Sequence, residues 1–151
     1  MVRKFTMVGF FCALFLALTA AAASAGGHIQ ANGQGQTPLS ASLGFNAKDD
    51  LSGQLNYNAD PNGSDSGFSA HCAGYGRFGL LSSFDGFPKV KVSATCTDKD
   101  GNTVYLRAAF IDRGEPGTYD FVCIRWSHSP GGAAFIHDKG YISNGNIQIH
   151  S

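Results

Sequence analysis

The segment KVKVSATCTDKDGNTVYLRAAFID, residues 89–112, alternates apolar and polar residues on both sides of a short polar stretch. Successive side chains of a strand point to opposite faces, so this period of two predicts two half-buried β-strands. The stretch DKDGN, residues 98–102, predicts the turn between them, because Gly101 can adopt a positive φ. The segment therefore predicts an antiparallel hairpin.

Two earlier stretches show the same alternation. LSASLGFNAK, residues 39–48, and LSGQLNYN, residues 51–58, each place apolar residues on one face, beginning with Leu39 and Leu51. Only the Asp-Asp pair at 49–50 separates them, which predicts a second hairpin.

The rest of the chain continues this pattern more weakly. YDFVCIRWS, residues 119–127, is apolar on both faces at its centre, which predicts a central strand. Residues 67–81 predict one bent strand or two short ones, and residues 131–143 predict a hairpin that turns at 138–140. With no 3.6-residue period beyond residue 25, the predicted fold is an all-β antiparallel barrel or sandwich of about eight to ten short strands.

The two ends of the predicted domain repeat one phrase. GGHIQ at 26–30 and GNIQIH at 145–150 both place isoleucine on one face and glutamine on the other. Two strands with the same phase can lie side by side and hide both edges of a sheet. We therefore expect the first and last strands to pair.

The first 25 residues have the features of a signal peptide. Arg3 and Lys4 precede the uncharged stretch 5–20, and Ala-Ser-Ala at 23–25 is typical of a cleavage site. We therefore expect a signal peptide over 1–25, a single secreted β domain over 26–151, and a secreted, periplasmic or cell-surface location.

Composition argues against some partners. Without Arg3 and Lys4 the chain has nine basic side chains against eleven acidic ones, and it contains no run of Lys or Arg. This disfavours nucleic-acid binding, which needs phosphate neutralisation. There is also no basic amphipathic segment, so no membrane insertion is expected after signal cleavage.

Three cysteines lie beyond the predicted signal peptide. Cys72, Cys96 and Cys123 predict one disulfide and one remaining thiol in an oxidising compartment, with the pairing left open.

Four phrases together resemble the post-COAP domain, a bacterial extracellular module that follows choice-of-anchor domains. They are GGHIQ at 26–30, GFNAK and GQLNY within 44–57, DRGEPGTYDF at 112–121 and GNIQIH at 145–150. The resemblance implies a small β-rich domain on secreted or surface-attached proteins, with no catalytic activity to carry over.

The turn within the third phrase offers a candidate metal site. Asp112, Glu115 and Asp120 could converge on Ca²⁺, which prefers carboxylate oxygens. The structural alternative is that Asp112 caps backbone N–H groups of the turn. The acidic stretches 98–102 and 60–65 are weaker calcium candidates, and no other cofactor is expected.

Aromatic residues supply the other candidate site. They could line an apolar pocket or form a binding face, or they could belong to the core. These residues are Phe68, Tyr75, Phe78, Phe84 and Phe87.

The most direct functional hypothesis is a non-catalytic binding or structural domain at a bacterial envelope or exterior. Its expected partner is a cell-surface component or an apolar small molecule. A small barrel carrying an apolar ligand is the first alternative, and a hydrolase of unrecognised type is the second. The histidines show no metal-binding spacing, although His71 or His128 beside an aspartate could act as an acid or base.

Overall fold

A computed structural model describes residues 28–59, 67–82, 85–117 and 119–151, so the predicted signal peptide lies outside the described residues. The described residues form only β-strands and connecting segments, and no helix among them is long and apolar enough to cross a bilayer. The strands are β1 Gln30–Gln36, β2 Ser42–Lys48, β3 Gly53–Asn58, β4 Ser69–Cys72, β5 Arg77–Ser82, β6 Pro88–Asp98, β7 Thr103–Ile111, β8 Phe121–Ser127, β9 Ala134–Tyr141 and β10 Ser143–His150.

The ten strands form one antiparallel sheet that is nearly closed into a barrel. Its order is β10-β1-β2-β3-β4-β6-β7-β8-β9, and β5 pairs with β6 beside this path. The short strands β4 and β5 pair with successive parts of the long strand β6. The all-β antiparallel prediction is confirmed, and the seam of the barrel lies between β9 and β10.

The predicted pairing of the first and last strands is also confirmed. In β1 and β10, Ala31 lies opposite Ile149 and Gly33 lies opposite Ile147. Ala31 and Ile147 are buried, as their shared phase predicts. The ladder between β1 and β10 thus joins the two ends of the domain.

Aromatic rings from different parts of the sheet fill the barrel. Phe45 of β2 stacks on Phe110 of β7, with ring centroids 3.8 Å apart. Tyr57 of β3 and Trp126 of β8 pack with centroids 5.7 Å apart, and both are fully buried. These contacts join strands that are distant in the sheet order, as barrel closure requires.

Gly33 makes room for this packing. A Cβ atom there would overlap the ring of Phe45 and lie 3.0 Å from Cγ1 of Ile147.

One disulfide lies in the core, where Cys72 of β4 is bonded to Cys96 of β6. Cys123 is the free cysteine and is half-buried. The expectation of one disulfide and one remaining thiol is confirmed.

Two details of the predicted hairpins are wrong. Leu39 is 57% exposed because it lies in the turn before β2, and Leu51 is 40% exposed with a φ of 68° in the turn before β3. Turn formation therefore overrides the alternation at both positions.

The predicted hairpin over 131–143 is also wrong, because residues Ala134–Tyr141 form the single strand β9. Asp138 is fully buried in this strand and accepts hydrogen bonds from Tyr57 and Thr37. The sequence indicates an exposed turn at Asp138, but the residue lies in a strand and its buried carboxylate is satisfied by hydrogen-bond donors.

The glycine at the Phe45 stack gives a first prediction. Gly33→Ala should lower the free energy of unfolding by about 1–3 kcal/mol, because an overpacked core must shift its side chains. The matched control is Gly44→Ala on the adjacent strand, where a Cβ meets no atom within 4 Å. Urea unfolding measures both, and an equal loss in the two variants would contradict the packing argument.

Candidate functional site

The predicted calcium ligands lie at the seam of the barrel, in the segment between β7 and β8. We call residues 112–120 the closing loop. Asp120 accepts a hydrogen bond from the backbone N–H of Ile147 at 2.6 Å, and Asp112 accepts one from that of Ile149 at 2.9 Å. Two carboxylates thus take the place of a neighbouring strand along the free edge of β10.

Glu115 extends this contact through side chains. Its Oε1 accepts hydrogen bonds from the amides of Asn146 at 2.7 Å and Gln148 at 3.1 Å. The three candidate ligands therefore contact one strand, and the two most specific phrases of the family resemblance contact each other.

The closing loop also shows the structural alternative to calcium, since Asp112 caps the backbone N–H of Gly114 at 2.8 Å. Among the described residues, no group of three or more His, Cys, Asp or Glu side chains could hold a metal ion. The stretch 60–65 lies outside those residues, and calcium binding by the closing loop stays a prediction.

Asp120 is the buried member of the closing loop. Burial raises the pKa of its carboxyl, whereas hydrogen bonds from the backbone N–H groups of Arg113 and Ile147 lower that pKa. The donors offset part of the cost of burying a charge.

A second carboxylate closes the other end of the seam. Asp138 of β9 accepts hydrogen bonds from the Thr37 and Tyr57 hydroxyls and from the backbone N–H of Leu39. Burial, followed by the nearby Asp138 charge, raises the pKa of Tyr57. The segment after β1 is thereby fastened to β9.

The aromatic candidates lie in separate surroundings. Phe68 packs edge-on against Trp126, and Phe78 packs against the core. Buried Tyr75 donates its hydroxyl to backbone carbonyls, whereas Phe87 is 38% exposed beside the guanidinium of Arg113. Phe84 lies outside the described residues, and a ligand-binding role for the five stays a prediction.

Histidines occur in three polar contacts, one of which is the contact of His137 with Cys123 described below. His28 pairs with Asp49 at 2.9 Å on the exposed surface, and His71 contacts Asn56 at 2.7 Å. His128 instead stacks on Phe135. None of these contacts joins a histidine to a carboxylate in either outer cavity described below.

The cations form a feature that the linear sequence does not reveal. Six of the nine lysines and arginines among the described residues project from the outer face of β5 to β9, where the register places them opposite the core positions. We call this surface the basic face: Arg77, Lys89, Lys91, Arg107, Arg125 and Lys139.

The strand register aligns most of the basic face in two neighbouring rows that cross the strands. The first row contains Arg77, Ser93, Arg107, Arg125 and His137. The second row contains Gly79, Lys91, Ala109, Cys123 and Lys139.

In the part of the chain that the structure describes, no carboxylate pairs with the basic face. Among the described residues, the acidic side chains lie in turns, at the end of β6, in the closing loop or buried at Asp138. The described ion pairs with carboxylates involve His28 and Arg113, neither of which belongs to the basic face. Arg107 and Arg125 are direct cross-strand partners. Like charges in that position oppose sheet formation, so this pair does not serve the stability of the sheet.

A cavity of about 780 Å³, the outer groove, lies on this surface. Its lining includes the cations Arg77, Lys91, Arg107 and Arg125. Small or hydroxyl-bearing residues also line the groove: Ser93, Ala109 and Cys123 lie in the two rows, and Thr95 and Tyr105 lie in the next row beyond Arg107. The groove can therefore offer positive charge together with hydroxyl groups that donate and accept hydrogen bonds.

Cys123 lies within this lining. Its Sγ is 3.6 Å from Nε2 of His137, and its direct neighbour on β9 is Lys139. The rate at which a thiol reagent labels Cys123 would therefore measure access to the outer groove.

The opposite outer face is mostly neutral. A cavity of about 480 Å³ there is lined mainly by amide, hydroxyl and backbone groups, with His71, one carboxylate at Asp98 and one cation at Lys99. The barrel thus separates a polar face from a basic one.

No protein-family model matches the chain, and searches of curated proteins and of solved structures found no match.

The closing loop gives the second prediction. Asp120→Asn should lower the free energy of unfolding by about 1–3 kcal/mol, because an amide leaves one of the two backbone donors facing an N–H group. Asp100→Asn makes the same change at an exposed turn position. Urea unfolding of both variants measures the difference, and equal stabilities would show that the closing loop does not hold β10.

The like-charge pair gives the third prediction. Arg125→Gln should raise the free energy of unfolding by about 0.2–1 kcal/mol at low salt, because it relieves repulsion from Arg107. Lys91→Gln is the control, since its direct partners are Gly79 and Ala109. Denaturant curves at low and high salt measure the effect, which salt should screen. A loss of stability in Arg125→Gln would contradict the repulsion.

Proposed function

We propose that the protein is a secreted, non-catalytic binding domain whose basic face binds an anionic component of a cell exterior. The single observation that carries this proposal is the concentration of cations around the outer groove that have no carboxylate partner among the described residues, including the directly opposed Arg107 and Arg125. A sheet surface that served only stability would gain by placing a carboxylate opposite one of them.

Electrostatic complementarity supplies the binding force. Each exposed cation contributes a modest amount to the attraction of a polyanion, and several contributions on one surface add up. Salt should weaken such binding because it screens exposed charges.

The filled barrel interior supports a surface-binding role over a carrier. Phe45, Phe110, Tyr57 and Trp126 occupy the described interior, and both large cavities lie on outer faces. The carrier hypothesis therefore gains no support from the structure.

Other observations bear on the proposed location and class. The signal-peptide pattern over 1–25 and the resemblance to the post-COAP domain both support secretion and a surface role. The absence of transferable catalytic residues in that resemblance is consistent with a binding domain.

The fourth prediction tests binding with dextran sulfate as the probe. Lys91→Gln combined with Lys139→Gln should weaken binding by about fivefold or more at low salt, taking ~0.5–1 kcal/mol for each exposed charge. The control combines Lys48→Gln with Lys99→Gln, which removes the same charge outside the basic face. Surface plasmon resonance over a salt series measures both variants.

Equal losses in the two double variants would show attraction by net charge alone and would contradict a site on the basic face. No binding by the wild-type chain at low salt would overturn the proposed function.

A further inference from the structure

We infer that the ligand of the basic face is a linear acidic polysaccharide that crosses the strands, rather than a small anion. This inference rests on the proposed function, because it names the class of ligand that the basic face takes.

The arrangement of the cations carries the inference. Each strand from β5 to β9 contributes one cation to the two rows, in the order Arg77, Lys91, Arg107, Arg125 and Lys139. Neighbouring strands are about 4.8 Å apart, so this track extends about 19 Å across the sheet. A small anion could contact only part of the track, whereas a chain with repeated negative charges could contact all of it.

The hydroxyl groups of the outer groove favour a sugar chain as the ligand. Ser93, Thr95 and Tyr105 place hydroxyl groups in the outer groove beside Arg107. Sugar hydroxyls both donate and accept hydrogen bonds, as these side chains do. Acidic sugars thus match both the charge and the polar groups of the groove.

The same lining disfavours a nucleic acid. Proteins that bind single strands combine cations with several aromatic rings on which bases stack. Of the described residues that line the outer groove, Tyr105 is the one aromatic side chain, and it is half-buried.

An anionic membrane fits less well than a polysaccharide. Leu81 and Tyr141 are exposed apolar side chains near one end of the basic face. That end also carries Asp85 and the acidic closing loop, which would oppose approach to anionic lipids. In the register, the two rows of the track begin two residues further along each strand than Leu81 and Tyr141.

The test compares digalacturonate with octagalacturonate by isothermal titration calorimetry on the mature chain. Octagalacturonate should bind roughly tenfold to a hundredfold more tightly, because only the longer chain reaches the ends of the track. A neutral galactan oligosaccharide of the same length should bind neither the wild-type chain nor the variants.

Variants at the two ends of the track sharpen this test. Arg77→Gln and Lys139→Gln should each weaken octagalacturonate by about twofold to fivefold and leave digalacturonate unchanged. Lys48→Gln is the control outside the track, and thermal melts establish that every variant is folded.

The possible failures are distinguishable. Equal affinity for the short and long oligomers, with no effect at either end of the track, would show a small-anion site and overturn this inference alone. Tighter binding of a single-stranded oligonucleotide, or of phosphatidylglycerol vesicles, would also overturn it while leaving an anion-binding face. If dextran sulfate and every anionic probe fail to bind, the proposed function fails as well.

Discussion

The structure depends on hydrogen bonds from the free edge of β10 to carboxylates of the closing loop. Asp120 and Asp112 accept the backbone N–H groups of Ile147 and Ile149, where a neighbouring strand would otherwise be required. These bonds allow an open sheet to behave as a nearly closed barrel. An exposed strand edge would be a site for aggregation, and the closing loop covers it without adding a strand.

Closure of the barrel also explains how charge is distributed. Several carboxylates are used within the fold, at the closing loop and at Asp138, which fastens the segment after β1 to β9. The cations of β5 to β9 have no such structural partner among the described residues and remain on the outer face. A chain close to electrical neutrality therefore presents a strongly basic surface, and the overall net charge is a poor guide to the charge of that surface.

The sequence predicted the strand architecture well, but it did not predict the basic face. Alternation located the hairpin around 98–102 and the pairing of the terminal phrases, because strand period and turn chemistry are local properties. It placed Leu39 and Leu51 wrongly, since each lies in a turn that overrides the pattern. The stretch around Asp138 was wrong for a different reason, because its donors come from Thr37 and Tyr57, far away in the chain.

The basic face shows the same limit. Lys91, Arg107 and Arg125 are separated by many residues, so a search for charged runs does not find them. Assigning each charge to the outward side of its strand would have shown that these cations point away from the core, because alternation already indicates that side. The sequence by itself determined the all-β class, the hairpin around 98–102, the cysteine number and which side chains of β6 and β7 point outward. Only the tertiary structure decided strand order, the Cys72–Cys96 pairing and the register that aligns the cations, because these depend on contacts between distant segments.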